Sequence, residues 1–321
     1  MVLDGNAPES IARAADALAA GQLIGLPTET VYGLAADAGS DAAVRGIFAA
    51  KGRPADHPLI VHVASVAQVS DFADQVPVFA QKLIDAFWPG PLTLILPRRA
   101  GVAEAAAGGH ATIGLRCPAH PVAQALLAAC AARGVRGLAA PSANRFGRIS
   151  PTTAQHVAQE FGDELLVLDG GPCAVGIEST IVDCTRGAPV LLRPGQRARA
   201  EIERVAGQHL LSKEELLAPD PQAPGTLLAH YAPRAKLRLM DVRELRAALD
   251  MLGADAKNIA VWARAPLRSA SRALLLRRMP DDAATVAQQL FAVLRGFDDA
   301  GVKLIWVEAP PPEPAWDGVR D

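Results

Sequence analysis

Nowhere does this 321-residue chain run through the roughly 18 consecutive apolar residues that a membrane-spanning helix requires, which excludes a helical membrane protein. Residues 1–10 hold two acids and no Lys or Arg, so the basic start of a secretory leader is missing and a cytoplasmic location is expected. Cysteine is scarce. The four residues Cys117, Cys130, Cys173 and Cys184 show no C-x-x-C spacing, which excludes a zinc knuckle and a disulfide framework and leaves them as small packing hydrophobes. Aromatic residues make up only 4% of the chain, too few for extended stacking on nucleic-acid bases. Basic excess is lacking as well. Residues 1–196 carry 14 Lys and Arg against 17 Asp and Glu, a net −3, and the remainder carries 18 against 17, a net +1. Neither half is built to grip a long phosphate backbone. A G-x-x-x-x-G-K-[ST] loop is also missing, which excludes an ordinary P-loop ATPase.

What remains is a folded composition, half apolar and 21% charged, in a chain long enough for two domains. Apolar residues at helical spacing (Ile11, Ala14, Ala15, Leu18) follow Pro8 and predict a helix over 8–20. Gln22–Leu26, closed by Pro27, predicts a buried strand. The alternation continues with helices over 41–50, 76–87, 121–133 and 152–161, and with strands over 59–63, 92–96, 112–115, 137–140, 165–168, 179–183 and 190–192. This predicts an α/β domain over residues 1–199 with a twisted mixed sheet. Residues 200–217 read as a charged helix, and Ala218–Pro224, with three prolines in seven residues, cannot be regular structure. The expected linker spans 200–235. Beyond it, strands over 237–240, 259–263 and 302–307 and helices over 242–252 and 281–300 predict a small Rossmann-like α/β domain over 236–321.

Chemistry-bearing residues gather at strand ends and in the loops after them, where open α/β sheets place ligands. Five segments share this placement. Pro27-Thr28-Glu29-Thr30-Val31-Tyr32-Gly33-Leu34 offers hydroxyls that could orient a small polar ligand or simply close a turn. Lys51-Gly52-Arg53-Pro54 sets two cations one residue apart, suited either to phosphate oxygens or to the negative end of the helix before them. His57-Pro58 precedes the strand bearing His62, which taken alone reads as a core histidine. Thr112 to Pro118 is a strand ending in Arg116, a charge that needs an anionic partner if partly buried. Pro141-Ser142-Ala143-Asn144, followed by Arg145, Gly147, Arg148 and Ser150, lets backbone approach an anion. Last come Gly176-Ile177-Glu178-Ser179-Thr180 and Arg193-Pro194-Gly195.

In that order these segments resemble the YrdC-like threonylcarbamoyl-AMP synthases in their longer two-domain form. The resemblance rests on PTETVYGL, KGRP with HPLIVHV, FWPGPLTLIL, TIGLRCP, PSANRFGRISPT, GIESTIVD and LLRPG, and on HYAP at 230–233, and covers nearly all of residues 20–196. It implies an enzyme that makes threonylcarbamoyl-AMP and pyrophosphate from L-threonine, bicarbonate or CO2, and ATP. The threonylcarbamoyl group then serves tRNA adenosine modification, with the product handed to the transfer machinery and no direct tRNA binding required. Carried over position by position, Thr30, His62, Arg116, Ala140 and Ser179 are expected around threonine, with Arg116 on its carboxylate. Lys51, Arg53, His57 and Thr112 are expected around ATP, as are Ser142, Asn144, Ser150 and Arg193. Lys51 and Arg53 are the implied catalytic cations, Tyr231 reaches back from the linker over the nucleotide, and Mg2+ is expected on the phosphates. Two rivals share the fold: an RNA-binding module without nucleotidyl transfer, and a hydrogenase-maturation carbamoyltransferase, whose zinc-finger regions this chain lacks. The synthase reading requires loops at one rim of the first sheet to converge on a single cationic cup.

Overall fold

Pro8 at the first turn and the buried stripe Ile11, Ala14, Ala15 and Leu18 produce the first helix, α1 (Pro8–Ala19), as the 3.6-residue period demands. The computed structural model describes residues 1–216 and 232–321. Ten strands follow one another in the first sheet: β1 (Val2–Asp4), β2 (Ile24–Leu26), β3 (Gly33–Asp37), β4 (Ile60–His62), β5 (Leu92–Pro97), β6 (Thr112–Arg116), β7 (Leu138–Ala139), β8 (Leu166–Asp169), β9 (Thr180–Asp183) and β10 (Val190–Arg193). Helices α2 (Asp41–Lys51), α3 (Val69–Phe72), α4 (Val78–Phe87), α5 (Pro121–Ala131), α6 (Ala154–Phe161) and α7 (Arg199–Ala206) are interspersed. The second sheet holds β11 (Lys236–Met240), β12 (Ile259–Ala263), β13 (Leu275–Arg278) and β14 (Leu304–Glu308), with α8 (Val242–Leu252), α9 (Ala283–Asp299) and the short α10 (Asp317–Arg320).

The spatial order is β1-β8-β2-β3-β7-β4-β6-β5-β9-β10, a mixed sheet, and β11-β14-β12-β13, in which every pairing is parallel. This is the predicted architecture, a mixed sheet followed by a smaller parallel one. Alternation along the strands divides the core. Val61, Leu94, Leu115 and Val182 pack with Ile47 and Phe48 of α2 and with Leu83 and Ile84 of α4. On the opposite face, Ile24, Leu26 and Leu138 pack with Leu18 of α1 and Leu126 and Leu127 of α5. Farther along that second face lie Ile60, Ile95, Ile181 and Leu192, partly covered by Leu211 and Leu216.

The structure adds elements that the pattern does not announce. Residues 33–37, given no element by the sequence pattern, form β3 between β2 and β7; the sequence GLAAD lacks the β-branched residues that mark a strand. β1 and β13 also go unpredicted, since β1 is only three residues long and the exposed Leu-Leu-Arg-Arg of β13 shows no alternation. The helix expected over 200–217 stops at Ala206, where Gly207 turns left-handed with φ of 70°. The whole proline-rich stretch Ala218–Pro224, and Tyr231, lie outside the described residues. Among the described residues no helix is long and apolar enough to cross a membrane.

Candidate active site

Strands β4 and β6 run parallel, with Ile60 beside Gly114 and His62 beside Arg116. Residues two apart share a face, so Ile60, His62 and Arg116 project together away from the Val61 core. They floor an open cleft whose walls come from the 28–33, 51–53, 140–148 and 178–179 segments and Arg193. The expectation of a single rim needs correction. Strand directions place Gly33 at the start of β3 and Ala140 after β7 at one end of the sheet, whereas Ser179 before β9 and Arg193 closing β10 lie at the other. The strands are so short that both sets of loops reach the same patch of sheet face.

One wall is organised by Lys51, the last residue of α2. Gly52, left-handed at φ of 65°, caps the helix and turns the chain toward Arg53. The buried Lys51 ammonium donates to the carbonyls of Ser142 and Asn144, and the Lys51 carbonyl accepts from the Phe146 N–H at 2.9 Å. Burial, seconded by the charge of Arg53, pulls this ammonium down to about 7. Arg53 donates to the Pro58 carbonyl at 3.1 Å while its head lines the cleft. Asn144 spends its amide hydrogens on the Arg145 and Arg148 carbonyls, at 2.9 and 2.8 Å, which draws the loop into a tight bend. Its buried Oδ1 has no protein partner among the described residues.

The floor is charged but nearly compensated. Arg116 forms an ion pair with Glu29 at 2.6 Å and donates to the Thr30 hydroxyl at 2.7 Å and the Gly90 carbonyl at 3.3 Å. Burial works to raise the Glu29 carboxyl, but the adjacent Arg116 charge and hydrogen bonds outweigh it and hold the group below the usual carboxylate range. Thr28 completes the corner, 2.9 Å from the Thr30 hydroxyl. His62 is pulled down to about 3, first by burial and then by Arg116, and is therefore neutral, with a buried Nδ1 that has no protein partner among the described residues. At the far wall Arg193 donates to the Ser179 carbonyl and hydroxyl, both at 3.0 Å, and lies 3.7 Å from Glu178. The Ser179 hydroxyl sits 2.8 Å from Thr93, and the Ser150 hydroxyl donates to Glu178 at 2.8 Å.

Thr30, Lys51, Arg53, His62, Arg116, Ala140, Ser142, Asn144, Ser179 and Arg193 therefore share one cleft. His57 and Thr112 do not line it: His57 rests against the Phe146 ring at 5.8 Å between centroids, and Thr112 begins β6 four residues from Arg116, paired with Pro97. Ser150 is buried behind Glu178, and Tyr231 falls outside the described residues. Glu29 and Glu178 went unassigned in the sequence reading, although both lie in the segments it singled out. The signal available was charge balance, since each buried arginine calls for an anion.

Among the described residues no three His, Cys, Asp or Glu side chains stand close enough to hold a metal. The cleft's carboxylate, Glu178, is already engaged by Ser150 and Arg193. A magnesium centre built from protein ligands does not fit, and no step below passes through one.

A mixed sheet whose face carries a cationic cleft, with a parallel sheet packed behind the cleft's loops, defines a two-module α/β protein built around a small polar ligand. The chain belongs to the Sua5, YciO and YrdC family: residues 16–195 match its model, described as telomere recombination, and residues 198–321 match the model described as threonylcarbamoyl-AMP synthase, C-terminal domain. It is 39% identical over 297 residues to the threonylcarbamoyl-AMP synthase of Pyrococcus abyssi, covering 90% of this chain and 85% of that protein. Against the Bacillus subtilis protein of the same name the identity is 38% over 323 residues, covering 96% and 90%. The fold superposes on P. abyssi Sua5 complexed with L-threonine with a TM-score of 0.87 at 36% identity, over 98% of this chain and 92% of that one. A likeness to full-length HypF, at 19% identity and a TM-score of 0.50, is one of fold alone and covers only 28% of that chain.

Proposed function

We propose that the chain is an L-threonylcarbamoyladenylate synthase, a nucleotidyltransferase that converts L-threonine, bicarbonate or CO2, and ATP into threonylcarbamoyl-AMP and pyrophosphate. The observation that carries this reading is the meeting of Lys51, Arg53 and Arg193 with Arg116 and neutral His62 in one cleft of a family member. The names of the relatives favour it over an RNA-binding module, and the solved P. abyssi relative is described with L-threonine bound.

On this reading the neutral threonine amine takes up CO2, forming an N–C bond and losing a proton. A carbamate oxygen then attacks the α-phosphorus, an O–P bond forms, and the bond to the β-phosphate oxygen breaks as pyrophosphate leaves. The protein contributes placement and fixed positive charge. Arg116, Thr30, His62, Ala140 and Ser179 form the threonine end. Lys51, Arg53, Ser142, Asn144 and Arg193 form the ATP end, with Ser150 acting through Glu178; His57, Thr112 and Tyr231 belong to the ATP set by resemblance alone. ATP enters as substrate, and the product passes to the machinery that loads tRNA.

Incubating the protein with ATP, bicarbonate and each amino acid in turn, without RNA, tests this. A mass matching threonylcarbamoyl-AMP with threonine, together with pyrophosphate release, is expected. Turnover that requires RNA, or no adenylated product with any amino acid, refutes it.

A further inference from the structure

Helix α9 belongs to the second sheet, where Val286, Phe291, Leu294 and Phe297 bury its apolar stripe. Arg295 on the same helix points out of that core into the first module, yet it is only 7% exposed. Its guanidinium pairs with Glu160 of α6 at 3.0 Å and donates to the carbonyls of Ile149 and, at 3.4 Å, Ser150. The other oxygen of Glu160 accepts from the Arg145 N–H at 3.1 Å. One buried ion pair thus holds both ends of the 145–150 loop. Between those ends stand Phe146, Gly147 and Arg148, which line the cleft, and Ser150 leads on to Glu178.

Adhesion between modules does not call for this pair. Val31 and Ile149 already pack against the second module's core, as do Val175 and Ile177 against Ala287, and a buried ion pair is poor glue because desolvation offsets its attraction. What a planar fork adds is direction: it fixes where two carbonyls and a carboxylate lie relative to one another.

We propose that Arg295 is a positioning residue for the nucleotide end of the cleft, acting through the 145–150 loop and never touching substrate. This rests on the reading of that end as the ATP site. The test compares the full-length wild type, Arg295→Met, Ser150→Ala and the double variant by steady-state pyrophosphate release, with ATP titrated by calorimetry in the absence of threonine. Arg295→Met is expected to weaken ATP binding and raise the ATP KM about tenfold, to change the threonine KM less than twofold, and to cost less in the Ser150→Ala background than alone. A folded Arg295→Met protein with unchanged ATP KM, an equal rise in both KM values, or full additivity with Ser150→Ala overturns the proposal. If Arg295→Met does not fold, Glu160→Gln carries the test: a smaller rise confined to ATP supports it, and an unchanged ATP KM overturns it. Absence of threonine-dependent turnover in the wild type would sink the synthase reading instead, while the calorimetric ATP comparison would still decide the role of Arg295.

Discussion

The two modules both bury charge, and they use it differently. In the second, Asp298 accepts from the backbone N–H groups of Arg234 and Ala235, and Glu308 accepts from Arg264 and the Ala265 N–H. Those acids hold chain segments in place within the protein. In the first, Lys51, Arg116 and Arg193 are as deeply buried, but they open onto a cleft together with polar atoms that have no protein partner among the described residues, His62 Nδ1 and Asn144 Oδ1. Buried charge by itself does not mark function; a cavity left in front of it does.

The comparison is broken most sharply at Arg116. Arg116→Ala strands Glu29 as a lone buried carboxylate, so a stability loss of about 3–5 kcal/mol is expected, read by thermal or denaturant melting, with a raised threonine KM wherever the variant folds. Next comes Lys51→Met, for which turnover is expected to fall roughly 10²- to 10³-fold, measured as pyrophosphate release at saturating threonine. Glu308→Ala in the second module should cost about 1–3 kcal/mol in melting experiments and leave both KM values unchanged; a kinetic defect there would erase the contrast between the modules.

A pH series sharpens the contrast further. Lys51 titrates near 7 in the folded chain against an ordinary 10.5, so its charge is present below pH 7 and lost above it. The neutral amine keeps two hydrogens for the Ser142 and Asn144 carbonyls, so the wall stands while the charge goes. ATP affinity should therefore decline by up to about tenfold per pH unit above 7, with a flatter profile in Lys51→Met, as calorimetry can show. The linked stability has the opposite sign: the buried ammonium costs most below pH 7, and that cost fades between pH 7 and 10.5. The smallest effect is expected at the exposed Arg278–Asp281 pair, where Arg278→Ala should change stability by about 0–1 kcal/mol and kinetics not at all.

Much of this was legible in the chain. The stripe of α1, the Pro27 stop after β2 and the cation pair around Gly52 announced themselves through spacing, and five loops pointed to one site. The remainder was hidden for physical reasons. β3 was missed because alanine satisfies a fully buried strand without declaring it. That the site lies across a sheet face depends on strand directions, which no local pattern encodes. Thr112 and Arg116, four residues apart on β6, looked like neighbours in sequence, yet extended chain carries them apart at about 3.3 Å per residue. The partnership of Arg116 with Glu29 joins residues 87 positions apart in the sequence and could only be inferred from the need for charge balance.

The three residues of β4 bear on how such sequences drift. Ile60 and His62 face the cleft, His62 in register with Arg116 next door, and Val61 faces the core beside Leu115. Adding or deleting a single residue here inverts all three, sending an imidazole into hydrocarbon and a valine into the cleft. Exchange of side chains at these positions is therefore survivable in a way that a change of length is not, and descendants should differ in spelling between Pro58 and Ala64 before they differ in letter count.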